Sequence, residues 1–323
     1  MRKNWKGAAA VFAAVALIAA LGGCSSAPTS STSSTSSTSG AQKGPIVVGS
    51  KIDTEGKLLG AIIIAKLKDA GFAVTDKTQT GTTDVVRKAL LNKEIDIYPE
   101  YTGSGLIFFK GQDPAVYKNG EAGYQADLKN DAANGIVWLE PARANNTWAL
   151  AVKKDFAAAN NLKTMSDLAV YAKTGKPMKI AASDEFFNNP DAWPAFAKAY
   201  GFDIPKASRI VLSGGDTSQT EKAVADGTNG VNIGMAYGTD GALAQLGLVV
   251  LADDKGAQLV YWPTPTIRKE VLDKYPEIAP LLKPVFDALT LQKLQELNGR
   301  LQANGEAADV VARDFLKTNG FIK

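Results

Sequence analysis

The sequence predicts an α/β protein of two lobes. Strand and helix patterns alternate from Ile46 onward, and 323 residues suffice for two cores. One supersecondary unit also occurs twice. The first copy runs Gly81-Thr82-Thr83, then Val85, Val86, Ala89 and Leu90, then Ile95 to Gly103. The second runs Gly214-Gly215-Asp216-Thr217, then Thr220, Ala223 and Val224, then Val231 to Gly241. Each reads as a Gly/Thr helix start, an amphipathic helix, a turn, a buried strand and an aromatic just past the strand. Open α/β sheets bind ligands beyond the carboxyl ends of their strands. The two copies therefore aim Tyr101 and Tyr237 at a shared cleft.

Taken in order, the chain begins with Arg2, Lys3 and Lys6 ahead of an apolar run from Ala8 to Leu21. This predicts a secretory signal over 1–23, since the run is short for a transmembrane helix. Leu21-Gly22-Gly23-Cys24 resembles a bacterial lipobox, making Cys24 the expected lipidation site. Cys24 is the single cysteine, so no intramolecular disulfide can form. Residues 24–44, rich in Ser and Thr, cannot bury enough apolar surface to offset their ordering entropy and read as a flexible tether. Setting aside the three basic residues of the signal leaves 33 Lys and Arg against 33 Asp and Glu. Nothing in that balance suggests a nucleic-acid partner.

Beyond the tether, Ile46 to Ser50 reads as a strand. Thr54 is expected to cap a helix reaching Ala70, with Gly71 in the terminating position. Leu58, Leu59, Ile62, Ile63 and Leu67 give it one apolar face. Thr82 or Thr83 opens the next helix, and Ile95 to Tyr98 forms the next strand. Residues 114–134 look helical, with a strand over Ile136 to Leu139. Asn145 to Thr147 turn the chain into a strand from Trp148. A strand at Met178 to Ala182, a helix at Trp193 to Tyr200 and a strand at Arg209 to Leu212 precede the second copy. Leu248 to Leu251 and Gln258 to Trp262 read as strands, and the rest to Leu316 as mainly helical.

The chain holds no histidine. The commonest general base and zinc ligand are therefore missing, as are Ser-His-Asp and Cys-His arrangements. No Walker-type phosphate loop is present. Asp96 and Glu100 are expected to serve structure and hydrogen bonding, because Pro99 interrupts the alternation that would pair them. No enzyme, cofactor or metal is expected. Aromatics are the richer signal: Tyr98, Tyr101, Trp148, Tyr237, Tyr261 and Trp262 all sit at strand ends. Converging ring faces attract a quaternary ammonium by cation–π contact, worth roughly 2 kcal/mol per desolvated ring.

Val48-Gly49-Ser50-Lys51, Asp96-Ile97-Tyr98-Pro99-Glu100-Tyr101-Thr102-Gly103, Ala144-Asn145-Asn146-Thr147-Trp148 and Ala236-Tyr237-Gly238-Thr239-Asp240-Gly241, with Tyr261 before Pro263-Thr264-Pro265, resemble the glycine betaine/choline/carnitine binding proteins of ABC importers. The resemblance covers nearly all of Ile46 to Lys323. It implies the two-lobed type II periplasmic-binding-protein fold, with lobe I over 45–146 and 258–323 and lobe II over 147–257. It implies an aromatic cage of Tyr101, Trp148, Tyr237 and Tyr261, and a ligand carboxylate met by Lys51 and Ser50, with Ser104 adding a hydroxyl. Asn189 stands where many relatives carry an arginine for that carboxylate, and it cannot make a charged, forked contact. Choline is therefore expected to be preferred to glycine betaine, unless Arg143 substitutes. The partners implied are a small quaternary ammonium ligand, an ABC permease and its ATPase, and the membrane through the lipid anchor, with the protein itself monomeric and extracytoplasmic. A same-fold binder of another small polar solute and a surface lipoprotein acting as sensor or adhesin remain open.

Overall fold

The computed structural model describes residues 43–212 and 217–323. The expected signal segment, Cys24, nearly all of the tether and the Gly214-Gly215-Asp216 start of the second copy lie outside the described residues.

Among the described residues ten strands form two five-stranded sheets of the same design. The first contains β1 (Lys43–Lys51), β2 (Phe72–Gly81), β3 (Ile97–Tyr101) and β4 (Ile136–Trp138). The second contains β5 (Trp148–Lys153), β6 (Ile180–Ser183), β7 (Arg209–Leu212), β8 (Ile233–Tyr237) and β9 (Leu248–Leu251). The chain then returns to the first sheet as β10 (Pro263–Arg268). The strand orders are β2-β1-β3-β10-β4 and β7-β6-β8-β5-β9. In each sheet the first three strands run parallel and the last two pairings are antiparallel. The two copies read from the sequence thus end in β3 and β8, the central strands of the two sheets.

The first helix, Thr54–Asp69, shows how pattern becomes packing. Leu58, Leu59, Ile62, Ile63 and Leu67 are all fully buried. They meet Ile46 and Val48 of β1 and the C-terminal residues Leu294, Val311 and Phe315 in one core. Burying each such side chain stabilises by about 1.5–3 kcal/mol. The N-cap is Asp53 rather than Thr54, its carboxylate accepting from the Gly56 N–H at 2.7 Å.

Four further elements differ from expectation. Residues 72–81 form β2, whose run of polar side chains hides a half-exposed edge strand. β3 extends through Pro99 to Tyr101, because Pro265 of β10 lies directly across from Pro99 and neither strand loses a ladder donor there. Gln258 to Trp262 is not a strand: it is the irregular second crossing between the sheets, and the strand begins at Pro263. The helical stretch at 114–134 resolves into the helix Gly120–Asp131, capped by Asn119, between short 3-10 turns. Among the described residues no helix is long and apolar enough to cross a membrane.

Candidate functional site

A cavity of about 200 Å³ opens between the sheets, at the ends of β1, β3, β5 and β8. Tyr101, Trp148, Tyr237 and Tyr261 all line it, as do Lys51 and Ser104. The structure thus brings together six of the eight residues singled out from sequence. Trp148 pairs with Tyr237 across β5 and β8, and its ring meets Tyr261 edge-on at 5.7 Å. Tyr261 leads into β10, whose first residue, Pro263, lies opposite Tyr101. Each sheet thus presents one ring ending its central strand and one entering the antiparallel neighbour.

Glycines make room for this arrangement. A Cβ on Gly103 would stand 2.3 Å from the Tyr261 ring, and one on Gly238 would stand 2.5 Å from the Asn145 carbonyl oxygen. At Gly241 it would fall 2.1 Å from the backbone of the helix Leu291–Gln302. The glycines of the two signatures permit close approach here, which sequence spacing alone does not reveal.

Ser50 and Asn189 do not reach the cavity wall. The Ser50 hydroxyl is buried, donates to the Lys51 carbonyl and accepts from the Gln79 N–H, so it fixes β1 against β2. Asn189 ends the short helix Asp184–Asn188, and its side-chain oxygen accepts from the Asp191 N–H. Arg143 is half exposed between Glu121 and Glu140, over the Trp262 ring, and is likewise absent from the wall.

Lys51 reaches the wall, but its charge is engaged. Its ammonium lies 2.6 Å from a Glu100 oxygen and 4.8 Å from the centre of the Tyr101 ring. Glu100 is fully buried and also accepts from the Tyr98 hydroxyl, the Tyr101 N–H and the Ser104 hydroxyl. Asp96 likewise serves structure, accepting from the Val47 N–H and pairing with Arg268.

Sequence reasoning missed Asp53, Thr82, Thr83, Asn146, Glu185, Ile52 and Ile107 on the wall. Thr82 and Thr83 open the helix Thr83–Leu91 without a side-chain cap, and their place at the head of the repeated unit was the available signal. Nothing local marked Glu185. With Asp53 and Glu185 present beside a Lys51 already opposed by Glu100, the charged part of the wall is acidic on balance. Burial lifts the hydroxyls of Tyr101 and Tyr237 well above the usual tyrosine range, with nearby carboxylates adding to it, so the rings stay neutral.

Two like lobes around one ring-lined cavity define a two-lobed substrate-binding protein. The chain belongs to the family of substrate-binding domains of ABC-type glycine betaine transport systems, whose model matches residues 44–318. Members are binding proteins of importers, extracytoplasmic and not enzymes. The chain is 49% identical over 280 residues to the glycine betaine-binding protein YehZ of Escherichia coli (strain K12), covering 86% of this chain and 92% of that one. It is 33% identical to a glycine-betaine-binding protein of Pseudomonas aeruginosa, covering 87% and 90%. Among solved structures, apo YehZ from Escherichia coli matches with a TM-score of 0.70 at 48% identity, covering 86% of this chain and all of that one. A glycine betaine/carnitine/choline ABC transporter structure matches with a TM-score of 0.73 at 22% identity and supports the fold alone, covering 86% of this chain and all of the other.

Proposed function

We propose that this protein is a lipid-anchored solute-binding protein that captures a quaternary ammonium compound and delivers it to an ABC permease. One observation carries the reading: four aromatic rings, two from each sheet's strand ends, line a single cavity whose charged wall is acidic on balance. An onium group cannot donate hydrogen bonds, so ring faces and diffuse negative charge are what can replace its water. The lobes over 45–146 with 258–323 and over 147–257 would close on the ligand as rigid bodies, and the closed pair would dock on the permease.

Two relatives are named for glycine betaine, which makes it the first ligand to test. Among the described residues, the positive charge the wall offers a carboxylate is that of the opposed Lys51, with the uncapped helix start at Thr82 beside it. A carboxylate leaving water needs more than that, so we expect choline to bind more tightly than glycine betaine. Calorimetry with both ligands and carnitine decides it. Binding of none of the three, or binding that survives loss of the rings, would end the cage reading. For the anchor, mass spectrometry of the mature N-terminus should find a diacylglyceryl group on Cys24. An unmodified chain beginning elsewhere would refute it.

A further inference from the structure

Glu55 does not line the main cavity, yet the bonds holding its rings converge on it. It occupies the first turn of the helix Thr54–Asp69, where the helix dipole favours a carboxylate, and it is 5% exposed. Its Oε1 accepts from the Tyr101 hydroxyl at 3.0 Å and from the Asn146 Nδ2 at 3.0 Å. Its Oε2 accepts from the Asn298 Nδ2 at 2.6 Å. Asn146 donates its backbone N–H to the Tyr261 carbonyl. The Asn298 Nδ2 also donates, at 3.0 Å, to the carbonyl of Thr239, two residues past Tyr237. One carboxylate thus holds Tyr101 directly, Tyr261 through the first crossing, and the Tyr237 loop of the other lobe through the helix Leu291–Gln302.

We propose that Glu55 is the positioning residue of the aromatic cage and couples capture of the cation to release of a proton. The proposal rests on the quaternary ammonium reading above. These three side-chain partners and the Thr239 side chain, which also bonds to Glu55, are all donors, so they complement the carboxylate form. A protonated Glu55 would have to donate in turn, and the acceptors at hand are the Oδ1 atoms of Asn146 and Asn298, both buried without a partner. Turning the Asn298 amide to offer its oxygen breaks its bond to Thr239 and leaves the Tyr237 loop to the bonds from Gln295 and Gln302 alone on that helix, loosening it. A cation against the Tyr101 ring in turn favours the charged carboxylate behind the hydroxyl, because the field between them is little screened inside the protein.

The balance sits where it can tip. Burial raises the Glu55 carboxyl to about 7, against the lowering effect of its hydrogen bonds from Thr239, Asn298 and Tyr101. The titratable and charged groups facing it are Asp53 on its own helix, Tyr101 with Lys51 over its ring, and Tyr237 and Asp240 across a small polar cavity of about 20 Å³. That cavity is large enough for a water beside the carboxyl. The chain has no histidine to titrate in the same range, and choline has no group that does.

The test is calorimetry of choline with the purified full chain at pH 6 and pH 8, and at pH 7 in two buffers of different ionisation enthalpy. Affinity should rise roughly fivefold or more from pH 6 to pH 8, and the apparent heat at pH 7 should change with the buffer as a fraction of a proton is released. Glu55→Gln should flatten both. Asn298→Ala removes a bond that favours the carboxylate and should move the midpoint to higher pH, which a merely structural part would not do. Binding by the wild-type protein that ignores pH and buffer would overturn the proposal. A pH dependence that survives in Glu55→Gln would overturn it too and assign the proton to Asp240. Absence of choline and glycine betaine binding at every pH would overturn the cage reading and this proposal with it.

Discussion

Tyr101 and Tyr237 stand at matching ends of β3 and β8, yet different things lie behind them. Behind Tyr101 is a buried polar network. Its hydroxyl donates to Glu55 and its N–H to Glu100, while Lys51 bridges Glu100 and the ring face. Deeper in the same lobe, Arg87 forks onto Asp131 at 2.7 and 2.5 Å, and Asp127 lies wholly buried under the loop that carries Ser104. Behind Trp148, the cross-strand neighbour of Tyr237, is a nest of rings. Phe186 meets Trp148 at 6.4 Å and also touches Phe187, Trp193 and Phe196. Tyr237 is bonded too, its N–H donating to the Asp240 carboxylate at 2.6 Å, so both strand ends are held by directional bonds and the second lobe adds the shape of its ring nest. The first lobe should respond to charge and pH, the second also to volume.

Four experiments break or sharpen that contrast. The largest effect is expected from Phe186→Ala, which empties the centre of the ring nest and should cost about 3–5 kcal/mol in denaturant unfolding. A loss below about 1 kcal/mol would mean the second lobe is not held by packing there.

Asp127→Asn tests the other lobe. Burial pushes the Asp127 carboxyl up to about 9, so the folded protein holds a proton that the unfolded chain has lost. That group's favourable contribution is full below its ordinary value of 3.8 and disappears as pH rises towards 9. Replacing it should stabilise by about 1–3 kcal/mol at pH 8 and hardly at all at pH 4. Thermal melts at the two pH values decide it, and an equal effect at both would remove titration as the cause.

Third, Tyr101→Ala and Tyr237→Ala should each weaken choline binding more than tenfold, roughly 1.4 kcal/mol or more per ring. Phenylalanine should be milder, because the ring face remains. Tyr101→Phe in addition removes a bond that favours the Glu55 carboxylate, so the midpoint of its pH dependence should move to higher pH. Normal binding by both alanine variants would refute the cage.

The smallest effect belongs to Glu185→Gln. Its carboxylate faces the cavity but is solvent-exposed, so screening limits it. A two- to threefold shift in selectivity from choline toward glycine betaine is the expected scale. An unchanged ratio in competition titrations would take Glu185 out of ligand choice.

Much of this molecule could be read from local pattern. Alternating periods gave the α/β layers, the duplicated unit led to the two central strands, and the six aromatic and polar residues that reach the wall sit where strands end. Local pattern was enough because periodicity and turn residues act over a few positions, and a strand's end is a local event. What tertiary structure alone decided are partnerships across distance. Asn298 reaches Glu55 across 243 residues, Lys51 finds Glu100 before any ligand carboxylate, and Ser50 turns to Gln79 instead of the cavity. The strand from Pro263 to Arg268 is inserted between β3 and β4, from parts of the chain more than a hundred residues away, with Pro265 set opposite Pro99. No run of neighbouring residues encodes such pairings, because a buried charge takes whichever partner the packed fold brings within reach.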